Sequence, residues 1–157
     1  SKKISYKNRI KIFKIIQNLK YNKEINYSLG FATVEEIDSH SILEATKLSM
    51  IRAINKLNFK KGNIIFDGQM KLNIKNFISK DIVQGDNKSI SIATSSIIAK
   101  IHRDRYMKFL SYKFPQYSWS SNMGYGSKKH IEIIHKKGIT IHHRKSFEPI
   151  KSLIHSK

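Results

Sequence analysis

Two aspartates occupy positions at which a carboxylate could bind a metal ion. Asp67 lies in the stretch IIFDG, residues 64–68, and Asp86 follows Gly85 shortly after the apolar pair Ile82-Val83. Short apolar runs of this kind predict buried strands, and ligand sites in open α/β sheets lie beyond strand ends. Two neighbouring carboxylates repel unless a cation joins them, and Mg²⁺ binds a few carboxylates, often beside a phosphate. The pattern fits a metal-dependent nuclease, and the alternative is that both aspartates are turn residues.

Other polar residues are better explained as structural. Asp104 continues the apolar face of its helix between Arg103 and Arg105, which predicts a partly buried ion pair. The seven histidines include His130 and His135, whose spacing of five does not place them on one helical face, and no H-E-x-x-H motif occurs. A histidine metal site is therefore not predicted.

An aromatic-rich loop is predicted at FPQYSWSSNMGYG, residues 114–126. Tyr117, Trp119 and Tyr125 could stack on bases or sugars, or they could cover the edge of a small core. The core explanation is favoured for Trp119. Tyr125 lies between two glycines, which leaves it more accessible to a ligand.

The charge balance points to a polyanionic partner. Lys and Arg number 30 against 11 Asp and Glu, for a formal net charge of +19, and such an excess is typical of nucleic-acid binding. The alternative is compositional, because Ile, Asn and Lys are all abundant, as an AT-rich genome would favour. The absence of cysteine excludes disulfides and thiolate chemistry, and no apolar run approaches a membrane span. We expect a cytoplasmic protein without membrane contact.

The periodicity predicts one alternating α/β domain. The predicted strands are residues 25–31, residues 64–67 and a segment near residues 82–83 that ends at Gly85-Asp86. Predicted helices are residues 6–19 capped by Ser5, one opened by Ser41 and Glu44, residues 89–112 with Ile90, Ala93, Ile97 and Ile101 on one face, and one between Ser127 and Gly138.

The ordered motifs resemble those of bacterial ribonuclease HII over nearly the whole chain. They are SKK (1–3), GFATVEEID (30–38), ILEAT (42–46), FDG (66–68), GDNKSISIATSSIIAKIHRDR (85–105), FPQY (114–117), GYG (124–126) and HHRKSFEPIK (142–151). The resemblance implies a ribonuclease H-like fold, with a mixed sheet flanked by helices and a helical C-terminal extension, in a single domain over residues 1–157. It also implies an endonuclease, expected to be monomeric, that uses Mg²⁺ or Mn²⁺. The implied substrates are the RNA strand of RNA–DNA hybrids and ribonucleotides embedded in duplex DNA.

The resemblance also implies roles for individual residues. Asp67 and Asp86 match the third and fourth metal-binding carboxylates of the family, with Asp67 as the shared ligand in a two-metal-ion mechanism. Tyr125 matches the tyrosine that packs on the ribose and checks for the 2′-hydroxyl. Lys2 and Lys3 match a basic pair near the substrate backbone.

The sequence departs from the family pattern at its start, in the loop before GYG, and at Gln69, which replaces a usual Asn. The family's first two carboxylates belong to an Asp-Glu-x-Gly-Arg-Gly motif that precedes SKK, so we expect the domain in residues 1–157 to be N-terminally incomplete. Asn122 and Met123 replace the usual His-Lys before GY. One alternative is a truncated, non-catalytic relative that only binds nucleic acid. The other is an unrelated basic structural protein, such as a ribosomal component.

Overall fold

The computed structural model describes residues 4–155, which form two compact units. The first unit contains the chain up to Phe31 together with Ser49–His102, and the second contains Ala32–Leu48 together with the chain from Arg103 onward. In chain order the elements are α1 (Tyr6–Tyr21), α2 (Val34–His40), α3 (Ile42–Leu57), β1 (Gly62–Asp67), β2 (Phe77–Ile82), α4 (Gly85–Lys88), α5 (Ile90–Lys113), a 3₁₀ turn (Pro115–Tyr117), α6 (Trp119–Asn122), α7 (Lys128–Lys137) and α8 (Ile150–His155). The prediction of a single domain stays a prediction.

Local capping residues determine where several helices begin. The Ser5 hydroxyl accepts a hydrogen bond from the Asn8 backbone N–H, and the Ser127 hydroxyl accepts one from the His130 N–H. Such bonds satisfy amide groups that lack a partner in the first helical turn. The helices predicted after these two serines are confirmed.

Helix α2 was not predicted, although a local signal was present. Thr33 accepts from the Glu36 N–H at 3.2 Å, and the Glu36 carboxylate accepts from the Thr33 N–H at 2.8 Å. This reciprocal pair is a capping box, which marks a helix N-terminus.

The first unit has an aliphatic core between α1 and α5. Phe13 and Ile16 from α1 pack with Ile97, Ile98 and Ile101 from α5, and all five are buried. The predicted apolar face of α5 was wrong at its first position, because Ile90 is 87% exposed, whereas Ile92 is buried at 5%.

The predicted strand at residues 25–31 is wrong, since this segment forms no strand. Its backbone carbonyls accept hydrogen bonds from side chains instead. Lys20 Nζ donates to the Tyr27 carbonyl, Lys56 Nζ to that of Leu29, and Arg52 Nη1 to that of Phe31, at 2.7–2.9 Å. Alternation correctly placed Ile25, Tyr27 and Leu29 against the core, but their backbone has no strand partner among the described residues.

β1 and β2 form a two-stranded parallel sheet. Gly62 pairs with Phe77 at one end of the register and Asp67 with Ile82 at the other. β1 confirms the strand predicted at residues 64–67. β2 ends before Val83, so the second strand lies earlier in the chain than predicted. The protein is thus a mixed α/β structure with a small parallel sheet and flanking helices.

The second unit has a core rich in aromatic side chains. Tyr117 and Trp119 are each 2% exposed, with nearly parallel rings whose centres are 5.0 Å apart. The Tyr117 hydroxyl donates to the Gly138 carbonyl at 2.8 Å, and burial raises the pKa of this hydroxyl. Trp119 is a core residue, as predicted, but the segment 114–126 is not wholly loop, because the 3₁₀ turn and α6 lie within it. Within residues 4–155, no helix is both long and apolar enough to cross a lipid bilayer.

Candidate metal and nucleic-acid site

Asp67 is the last residue of β1 and is solvent-exposed. Its Oδ1 atom accepts a hydrogen bond of 2.8 Å from the backbone N–H of Gly85. This bond joins residues that are 18 apart in the chain and connects the end of β1 to the segment after β2. It also restricts the carboxylate to one orientation.

Gly85 leaves little room for a side chain where the two segments approach each other. A Cβ atom on Gly85 would lie 2.7 Å from Ile92 Cδ1 and 3.5 Å from the Asp67 Cα. The residue before it, Gln84, has a left-handed backbone with φ of 55°, which turns the chain sharply after β2. The next residue, Asp86, is half-buried in the first turn of α4.

The structure therefore brings the segments of Asp67 and Asp86 together at one end of the sheet. Two carboxylates supply hard oxygen donors, and Mg²⁺ is commonly held by one or two carboxylates together with water and substrate phosphate. Among residues 4–155, no group of three or more His, Asp or Glu side chains is arranged to hold a metal ion. The described part of the chain thus brings together two segments that each carry a carboxylate, and these side chains could hold a phosphate-associated divalent cation.

Tyr125 belongs to the second unit and is 69% exposed. The turn that carries it is organised by the Asn122 side chain, whose Nδ2 donates to the Tyr117 carbonyl and whose Oδ1 accepts from the Gly124 N–H, both at 2.8 Å. Met123 and Gly124 have positive φ angles of 51° and 79°, so the chain turns tightly before the tyrosine. Asn122, which departs from the family pattern, is the anchor of this turn.

The contact between Asp38 and residues 145–146 was not predicted from the sequence. The Asp38 carboxylate on α2 accepts hydrogen bonds from the Lys145 N–H, the Ser146 N–H and the Ser146 hydroxyl, at 2.9, 2.9 and 2.6 Å. These bonds connect residues more than 100 positions apart and hold the turn that follows Arg144. The motifs GFATVEEID and HHRKSFEPIK contain the two partners, but nothing local in either indicates the contact.

The remaining predicted residues have different outcomes. Lys2 and Lys3 lie outside the described residues. Asp104 is buried at 3% exposure, as expected, while its ion pair with the flanking arginines stays a prediction.

Comparisons with known proteins agree with these motifs. A family model for ribonuclease HII matches residues 1–150. The ribonuclease HII of Ehrlichia canis (strain Jake) is 45% identical over 153 residues, which are 98% of this chain and 70% of that protein. The ribonuclease HII of Wolbachia pipientis subsp. Culex pipiens (strain wPip) is 46% identical over 98% of this chain and 75% of its own length. That of Macrococcus caseolyticus (strain JCSC5402) is 49% identical over 84% of this chain and 49% of its own length.

The match covers nearly all of the chain, while the chain spans between half and three-quarters of these relatives. It includes every segment that carries a candidate residue: the end of β1, the start of α4, the Tyr125 turn and the turn held by Asp38. The chain therefore belongs to the ribonuclease HII family of ribonuclease H enzymes.

Proposed function

We propose that this protein is an endonuclease that hydrolyses the RNA strand of RNA–DNA hybrids and cleaves at ribonucleotides embedded in duplex DNA. The observation that carries the proposal is the hydrogen bond from the Gly85 N–H to Asp67, which brings Asp86 to the same end of the sheet. Family membership supplies the reaction class, and the acidic pair supplies a place where it could occur.

The proposed cofactor is Mg²⁺ or Mn²⁺, held by Asp67 and Asp86. Both ions favour carboxylate and water oxygen over nitrogen and sulfur ligands. When bound, two such ions would activate a water molecule and neutralise charge at the scissile phosphate. The residues present fit this cofactor because both carboxylates belong to segments that meet at one strand end.

The chain's own contribution is to orient the acids before substrate binds. Since the Gly85 amide holds Asp67 Oδ1, the second carboxylate oxygen has a defined direction and acts as the proposed shared ligand. A backbone amide is a neutral donor, so it orients the Asp67 carboxylate without placing a positive charge against it. Asp86 adds a second anionic ligand from the start of α4.

Substrate recognition is proposed to depend on Tyr125 and on the basic surface. An exposed tyrosine ring on a rigid turn can pack on a single sugar, and a 2′-hydroxyl distinguishes ribose from deoxyribose. The net charge of +19 favours any nucleic-acid backbone. Lysines and arginines therefore supply most of the affinity, while the ring supplies selectivity.

Cleavage of defined duplexes tests the proposal. The substrates are an RNA–DNA hybrid, a DNA duplex with one ribonucleotide and an all-DNA duplex, each with Mg²⁺, Mn²⁺ or EDTA. We expect metal-dependent cleavage of the first two alone, and a loss of at least about 10³-fold in Asp67→Asn and Asp86→Asn. Asp81→Asn is the matched control, because Asp81 is an exposed carboxylate on β2.

Each outcome decides between the functions considered. Metal-dependent cleavage lost in Asp67→Asn but kept in Asp81→Asn supports the enzyme. Hybrid binding without cleavage under any metal condition would instead support the non-catalytic binder. The monomeric state, the cytoplasmic location and the roles of Lys2 and Lys3 remain predictions.

A further inference from the structure

Arg144 lies in the second unit with its guanidinium over an aromatic ring. Its guanidinium carbon is 3.8 Å from the centre of the Phe147 ring, and the residue is half-buried. Stacking uses the face of the guanidinium and leaves the N–H groups at its edge directed sideways. A side chain held in this way loses little conformational entropy when it binds an anion.

A second arginine lies in the same neighbourhood. Arg103 Nη2 is 3.7 Å from the position that a Cβ atom on Gly124 would occupy, so this guanidinium lies beside the residue that precedes Tyr125. Burial lowers the pKa of Arg144, and the positive charge of Arg103 lowers it further, while Asp38 and Tyr125 act in the opposite direction. Arg103 and Tyr125 thus both act on the charge of Arg144, and all three residues belong to the second unit.

The nearby carboxylate of Asp38 mainly accepts hydrogen bonds from backbone N–H groups. Burial alone would raise the pKa of its carboxyl group, but the hydrogen bonds from Ser146 and Lys145 outweigh burial and hold the pKa below its usual value. One oxygen accepts from Lys145 and the other from Ser146. The carboxylate therefore positions the turn that carries Arg144.

We propose that Arg103 and Arg144 together bind one backbone phosphate of the nucleic acid, adjacent to the sugar that Tyr125 contacts. The inference rests on the proposed function for the role of Tyr125. A phosphate suits the site because two guanidinium groups can each offer paired N–H donors to its oxygens. The repulsion between the two arginines is also relieved when an anion binds to both. Asp38 is a positioning residue in this arrangement, since it holds the turn of Arg144.

Phosphate neutralisation combined with mutation tests this inference. The probe is a duplex with one ribonucleotide, in which one phosphate at a time is replaced by an uncharged methylphosphonate. Binding is measured in EDTA, so that no cleavage is needed. For the unmodified duplex, we expect Arg103→Met and Arg144→Met each to weaken binding about tenfold and to reduce the slope of log K against log salt by about 0.9.

The decisive result is coupling at a single position. Both variants should lose their effect when the same methylphosphonate, next to the ribonucleotide, is present, and should keep it when any other phosphate is neutralised. Lys137→Met is the control, because Lys137 is an exposed residue in the last turn of α7, and its effect should not depend on that position. If the losses in the arginine variants are the same at every methylphosphonate position, the inference is wrong.

One further variant, Asp38→Asn, and the exposed Arg103→Met separate binding from folding and from catalysis. Asp38→Asn should weaken binding through the same phosphate and should be non-additive with Arg144→Met, whereas a purely structural role gives no phosphate dependence. Arg103 is exposed, so Arg103→Met decides the matter even if Arg144→Met does not fold. If the arginine variants depend on that one phosphate but the protein cleaves no substrate, only the proposed enzyme function is wrong. If the protein cleaves its substrates but the arginine variants show no such dependence, only this inference is wrong.

Discussion

Acidification should destabilise the second unit through a buried pair of histidines. His130 and His143 are 4% and 5% exposed, and their rings are stacked with centres 5.5 Å apart and an interplanar angle of 14°. His143 Nδ1 accepts from the Thr140 N–H at 2.9 Å, which places the imidazole proton on Nε2. Within the described residues, His143 Nε2 and His130 Nδ1 are buried without a hydrogen-bond partner. A second proton on either ring would create a poorly solvated charge.

The size of the effect follows from the pKa of His143. Burial lowers this pKa from 6.5 to about 4, with further lowering by the charges of His130 and His142. Between these two values the unfolded chain binds the proton and the folded chain does not, so stability falls as the pH falls from 6.5 toward 4. The expected loss is about 2 kcal/mol at pH 5 relative to pH 8 and about 3 kcal/mol below pH 4. Burial also lowers the pKa of His130, which adds to the loss in the same direction.

Urea unfolding at constant ionic strength measures this loss. Trp119 is the single tryptophan and is buried with its ring centre 5.2 Å from that of His143, so its fluorescence reports the second unit directly. His143→Gln should abolish most of the change in unfolding free energy between pH 8 and pH 5. His135→Gln should keep the full change, because His135 is exposed on α7. A midpoint that is constant over this range in the unmodified protein, or an undiminished acid loss in His143→Gln, would refute the reasoning. Asp38 does not interfere, since its lowered pKa puts its contribution below this window.

Three further predictions concern single side chains. Tyr125→Ala should reduce cleavage at an embedded ribonucleotide more than binding to plain duplex, and equal losses in the two assays would contradict its selectivity role. Gly30→Ala should destabilise the protein by at least about 3 kcal/mol, because the added Cβ would lie 1.8 Å from the Ser49 carbonyl oxygen on α3. Gly126→Ala is its control, since nothing lies within 4 Å of the new atom, and a similar loss there in thermal melting would undermine the steric argument. Thr33→Ala should cost about 1 kcal/mol by removing the α2 cap, measured by chemical unfolding, and an unchanged stability would show that the cap is dispensable.

Structure determined by neighbouring residues was predictable from the sequence. Ser5, Ser127 and Gly138 act on backbone groups within one helical turn of themselves, so the helix ends that they mark could be located without knowing the fold. Asp67 was found for a similar reason, because an apolar run that stops at an acid marks a strand end. The exception is α2, whose capping box at Thr33 and Glu36 is equally local but was not used to predict the helix.

Features that depend on distant partners were not predictable. The alternation at residues 25–31 identifies an inward face, but a strand also needs a neighbouring strand, and the carbonyls of this segment accept from Lys20, Arg52 and Lys56 instead. The bond between Asp67 and Gly85 likewise depends on how the chain returns after β2. The contact of Asp38 with Ser146, 108 positions away, is the extreme case.

Asp67 and Asp38 share a feature in this strongly basic chain. Asp67 accepts from the Gly85 amide and Asp38 from the amides of Lys145 and Ser146, so backbone donors hold both acids despite an excess of 30 basic over 11 acidic residues. A lysine or arginine partner would neutralise the acid and would itself become unavailable to the nucleic acid. Backbone amides avoid both effects, because they orient a carboxylate without cancelling its charge. At Asp67 such a carboxylate would suit the proposed divalent cation, and at Asp38 the arrangement would leave Arg144 able to meet the proposed phosphate. Hydrogen bonds from backbone amides thus allow a polycationic surface and an acid of proposed function to exist in one small protein.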